Sequence, residues 1–258
     1  HHLLHAIKAA PKSPLGHGGL GVIRLTQGRL KDSVSLFKQA LFISPDQPHI
    51  HNNLGLALTG LGRLPEATKH YNDALKMAPQ YSDAWLNLGK LHQDEGQPAK
   101  ASTCYKQALK YAPNMAEAHN NLGNINHSTG QIVEALACYT RAIDSNPNYV
   151  EAIFNKAIIQ AEMGQIRDAI VSYRAVIKID PHHVEALCAL GEANEVIGQI
   201  EEAEDHYECA MKINLQKIPY DRIKRLHYMR GRILDRLKDF DRAFDEFKNA
   251  NEICLTAL

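Results

Sequence analysis

Histidine and cysteine are the residues here with the widest chemical reach, and their spacing sets what they can do. His51 and His119 each open an HNNLG run, lie far apart in sequence and have no second ligand at metal-binding spacing, so they read as packing histidines. His182 and His183 adjoin Pro181 and read as an exposed corner. Cys104, Cys138, Cys188, Cys209 and Cys254 are odd in number and contain no CxxC pair. That pattern argues against a disulfide framework or a zinc knuckle and places the chain in a reducing, cytoplasmic setting. Gly16, Gly18 and Gly21 spell GxGxxG, but Pro11 and Pro14 stand where a dinucleotide fingerprint needs a strand. HExxH, P-loop and GxSxG patterns are missing, so no catalytic, metal or cofactor site is expected and the segment reads as non-catalytic.

The elements that would position any site follow from an internal period. Pro45, Pro79, Pro113, Pro147 and Pro181 recur every 34 residues, and so do Gly28, Gly62, Gly96, Gly130, Gly164 and Gly198. Within Ser82–Met115, apolar Ala84, Trp85, Leu88, Gly89 and Leu91 form one stripe at helical spacing, and Ala101, Tyr105, Ala108 and Leu109 form a second. Two amphipathic helices follow, turned at Gly96 and stopped by Pro113. Neither helix can bury its stripe alone, so neighbouring units must stack.

Trp85, Leu88, Gly89, His92, Ala101, Tyr105, Ala108 and Pro113 resemble the tetratricopeptide repeat signature, with His92 departing from its usual tyrosine. The resemblance implies an all-α solenoid, a right-handed superhelix of antiparallel helix pairs whose first helices line the concave side. The expected division is residues 1–13 as the end of a preceding repeat, 14–217 as six units of 34 residues, 218–223 as an insertion containing Pro219, and 224–258 as a seventh, degenerate unit. Lys238 replaces the turn glycine there. Gly16, Gly18 and Gly19 are expected to weaken the first helix, whereas Gly21 falls at the close-packing position. The apolar end, NANEICLTAL, is a candidate for self-association.

Charge balance narrows the partners. Lys and Arg number 29 and Asp and Glu number 29, so nothing recommends nucleic acid, and no apolar run approaches a membrane span. The expected function is a scaffold that binds a protein or extended peptide in its concave groove. The alternative is the substrate-recruiting arm of a larger transferase. RLHYMRGRILDRLKDFDRAFDEFKNANE resembles the last repeat before the catalytic domain in bacterial repeat-containing sulfotransferases, and the middle repeats resemble the arm of protein O-linked N-acetylglucosamine transferases.

Removing the packed positions of the central unit leaves Asp83, Leu86, Asn87, Lys90, Gln93 and Asp94 as a stripe facing away from the core. One position of it is asparagine four times running, Asn53, Asn87, Asn121 and Asn155, and an amide can pair with a peptide backbone as donor and acceptor at once. The glycosyltransferase resemblance implies that use. Asn52, Lys90, Asn120 and Asn124 complete the polar candidates. Further along, Glu151, Glu162, Glu185, Glu192 and Glu195 are expected to give the groove a negative potential and a preference for basic peptides. Some relatives in the resembling family clamp a C-terminal carboxylate with basic side chains. Asn52, Leu56, Asn87, Glu117 and Asn121 at the matching positions supply none, so no tight binding of acidic chaperone tails is expected.

Overall fold

The computed structural model describes residues 13–213 and 218–256, with side chains through Glu252. The expected tail of a preceding repeat lies outside the described residues except for Ser13, and so do the side chains of the apolar C-terminal end. Every regular element among the described residues is a helix. First helices begin at a 34-residue interval: α1 (Pro14–Thr26), α3 (Pro48–Gly60), α5 (Ser82–Asp94), α7 (Ala116–Ser128), α9 (Val150–Glu162) and α11 (Val184–Val196). Second helices keep the same interval: α2 (Leu30–Ile43), α4 (Leu64–Met77), α6 (Pro98–Tyr111), α8 (Ile132–Ser145), α10 (Ile166–Ile179) and α12 (Ile200–Met211). The last pair is α13 (Tyr220–Arg236) and α14 (Phe240–Thr256).

The turn within each pair is set by one residue. Gly96 has φ 69°, a left-handed backbone that a side chain disfavours. Its amide and that of Gln97 return to the Gln93 and His92 carbonyls at 3.0 and 2.8 Å, closing the end of α5. The other five turn glycines share this conformation, and Lys238 adopts it at φ 65°. Proline in the first turn of α1, α3, α4 and α6 costs nothing there, because that amide has no partner within the helix.

The chain forms two compact units, residues 1–129 and 130–258. In the first, α1 packs on α2, α3 on α4 and α5 on α6, and each pair leans on the next. Its core joins Phe37, Leu54, Leu58, Tyr71, Leu88 and Leu91 with buried alanines. The close approach within a pair depends on glycine: a β-carbon on Gly89 would lie 2.6 Å from Tyr105 Cε1, and one on Gly21 would lie 2.6 Å from Phe37 Cε1. Gly18 proves to be a packing residue too, since a β-carbon there would lie 2.7 Å from Ile50 Cδ1. Gly18 therefore does more than weaken the first helix. In the second unit, α9 packs on α10, α11 on α12 and α13 on α14, around Ile159, Tyr173, Leu190, Tyr207, Leu226 and Ile233. Each fully buried ring or aliphatic side chain contributes roughly 1.5–3 kcal/mol.

The expected insertion takes a form the sequence reading did not foresee. Residues 220–223 do not loop out; they add an N-terminal turn to α13, which runs 17 residues where the earlier first helices run 13. That turn carries Arg222 towards α11.

Candidate binding face of the first helices

In the first unit the amide series lies on adjacent first helices, and part of it is consumed by the fold. Asn53, Asn87 and Asn121 are half-buried on α3, α5 and α7. Asn52 and Asn120 are 4% and 5% exposed and cannot face a groove. They occupy the repeat position of Leu86, itself 7% exposed, where adjacent first helices meet. That packing corrects both assignments and removes Leu86 from the outward stripe. Asn87 Nδ2 donates to Asn52 Oδ1 at 3.0 Å, so this amide pair joins α5 to α3. Lys90 Nζ lies 2.5 Å from Glu117 Oε1 and joins α5 to α7 in the same way. Burial raises the Tyr105 phenol far above its ordinary value, with Asp94 and Glu117 adding to the effect, and its hydroxyl donates to Gln93 Oε1 at 2.8 Å. Asn120 and Asn124 also have interaction partners.

In the second unit Asn155 is half-buried on α9 and engaged, as is exposed Glu162, and Glu151 is exposed in the first turn of α9. The acidic stripe meets a row of arginines on α13. Arg225 pairs with Glu192 at 2.5 Å, Arg232 and Arg236 pair with Glu195 at 2.6 and 3.0 Å, and Arg222 contacts Glu185. Three of the five glutamates thus have cations of their own chain, which removes the basis for an unbalanced negative potential. The sequence signal was present in DRIKRLHYMRGRILDR, but the pairing spans 33 to 41 residues, and of the four arginines only Arg222 comes from the added helical turn.

Beside this row α9, α11 and α13, all first helices, enclose an open cavity of about 580 Å³. Phe154, Ile158, Ala189 and Met229 supply apolar walls, while Glu162, Glu185, Glu192, Arg222 and Arg225 stand among its lining charges. Phe154 is held by ring contacts to His183 and Tyr173, with centroids 4.8 and 5.9 Å away. Cys188 also lines the cavity, but burial, reinforced by Glu192 and Glu185, pushes its thiol up to about 12, so it stays protonated and a poor nucleophile. The arrangement can receive an apolar side chain between charges of both signs.

A stack of helix pairs with such a face is a helical-repeat scaffold. Family models described as tetratricopeptide repeat match residues 1–48 and 86–150, 46–114, 138–171 and 224–255. The chain belongs to the tetratricopeptide repeat family. No curated protein matches it. Among solved structures, the crystal structure of MamA is 28% identical with TM-score 0.58, over 62% of this chain and 93% of that one. YrrB, described as a TPR protein with an unusual peptide-binding site, is 22% identical with TM-score 0.59, over 70% and 93%. The pilF protein of Pseudomonas aeruginosa is 18% identical with TM-score 0.67, over 77% and 88%. The last two likenesses speak to the fold alone. Among the described residues no helix is long and apolar enough to cross a membrane.

Proposed function

We propose that the chain is a protein-interaction scaffold whose second unit holds an extended peptide segment by an apolar anchor side chain. The observation that carries this reading is the cavity of about 580 Å³ between α9, α11 and α13, apolar on its walls and charged around them. Such a pocket is suited to a large aliphatic or aromatic residue, because burying it in a preformed apolar recess is favourable and the nearby charges orient its neighbours. Since Arg222 and Arg225 stand among the glutamates, the favoured peptide carries both signs of charge around its anchor. On the second unit half-buried Asn155 is proposed to add a contact to peptide backbone, and on the first unit, by itself, the half-buried amides Asn53, Asn87 and Asn121 are proposed to contact peptide backbone in the same way.

The reading is tested by selecting displayed peptides on the full chain and on Ala189→Phe, which fills the cavity. Wild type is expected to enrich sequences with one large apolar residue between charged ones, and the variant, still helical by circular dichroism, to lose that enrichment. No enrichment on the wild type, or the same enrichment on both proteins, would refute it.

A further inference from the structure

We propose that His51, His70 and Asp73 form a three-ligand site for a zinc-class divalent cation on the α3–α4 hairpin. The three offer ligand atoms that all lie within 4.8 Å of one another. His51 is buried, whereas His70 and Asp73 are half-buried and reachable. The two Nδ1 atoms are 3.0 Å apart. A metal about 2.0–2.1 Å from each nitrogen needs them only a few tenths of an ångström further apart.

The tautomer of His51 is fixed by its other nitrogen. Nε2 lies 3.2 Å from the Pro45 carbonyl oxygen, which can only accept, so the proton sits on Nε2 and the Nδ1 lone pair points at His70. This is the outer contact that orients metal-binding imidazoles. Among the described residues Asp73 pairs with Lys76 at 3.5 Å, a side chain 78% exposed that can leave for solvent.

The same pair of repeat positions attracts a cation elsewhere in the chain. In the α13–α14 hairpin it holds His227 and Glu246, and Arg230 reaches Glu246 at 2.9 Å. The residue of α3 equivalent to Arg230 is Leu54, fully buried, so the α3–α4 pair receives no cation from that position. The other acidic grouping, Glu204, Asp205 and Glu208, differs because Glu204 is already bound by Arg230 and Arg242. Two imidazoles and one carboxylate select zinc, nickel or copper over calcium or magnesium, and three protein ligands leave a fourth position for water.

The test is calorimetric titration of the full chain with zinc chloride, with cobalt(II) absorption as a second readout. Wild type is expected to bind one equivalent in the micromolar range or tighter and to give a visible cobalt band of low coordination number. His70→Gln and Asp73→Asn, which spare the buried His51, are expected to weaken that binding at least about tenfold and to abolish the band while keeping wild-type helicity. His182→Gln, on an exposed corner, should leave both unchanged. Absence of micromolar binding by wild type, retention of it by both site variants, or loss of it in His182→Gln would overturn the site.

Discussion

His227 Nδ1 lies 2.5 Å from Glu246 Oε2 inside the α13–α14 hairpin, at the repeat positions where α3 and α4 place His51 and His70. Around it Arg230 binds both Glu246 and Glu204 at 2.9 Å, and Arg242 reaches Glu204. The hairpin is therefore tied by a largely buried charge network, and Arg230→Ala would leave Glu246 with His227 and Glu204 with Arg242 as remaining partners. It is expected to destabilise the protein by about 3 kcal/mol in chemical denaturation, the low end for breaking a buried pair, because each carboxylate keeps one partner. Burial pushes the Glu246 carboxyl up, but the His227 hydrogen bond and the Arg230 guanidinium outweigh it and hold it below its ordinary value of 4.5. A lowered folded value means a contribution that is complete above pH 4.5 and lost as pH falls through the folded value. Denaturation midpoints of Glu246→Gln should accordingly fall less than those of wild type over that acid range.

The two special backbone positions of a repeat give opposite expectations. Gly89→Ala puts a β-carbon 2.6 Å from the Tyr105 ring and 3.2 Å from Cys104 Cβ, and is expected to cost about 1–3 kcal/mol. Lys238→Gly relieves a left-handed lysine at φ 65° and should raise stability by about 1 kcal/mol. Thermal melts of both variants settle the signs.

Asn194 is fully buried on α11, and among the described residues neither its amide nitrogen nor its amide oxygen has a hydrogen-bond partner. The same repeat position is Leu58 in α3 and Leu234 in α13, both buried. Asn194→Leu should stabilise the chain by about 1–3 kcal/mol, since it removes unpaired polar atoms where leucine already fits twice. A lowered denaturation midpoint would contradict this.

Removing the arginines should expose the acidic stripe that the sequence displays. Each exposed pair contributes only about 0.2–1 kcal/mol, so the Arg222→Ala, Arg225→Ala double variant is expected to keep its fold. It should gain low-salt affinity for a lysine-rich peptide that wild type lacks, and lose it as salt screens the glutamates. Fluorescence anisotropy across a salt series reads both halves of the expectation.

The fold was legible because a repeat is written many times. A glycine turn, a close-packing glycine and an aromatic recur at fixed intervals, and local backbone chemistry is enough to translate them into paired helices. Even Lys238 follows the rule, since its neighbours impose the same turn. Which polar groups remain available was decided by packing between units. Asn52 and Asn53 are adjacent and identical in type, yet the angle of one helix against the next buries the first and half-exposes the second. The glutamates of α11 looked like part of one acidic surface until the packing of α13 set Arg225, and Arg222 in its added first turn, against them. His51 and His70 stand 19 residues apart with no motif between them, and only the antiparallel return of α4 brings their nitrogens to 3.0 Å. Periodicity fixes the elements because each depends on its own few residues, whereas pairing across helices depends on distances that only the packed chain sets.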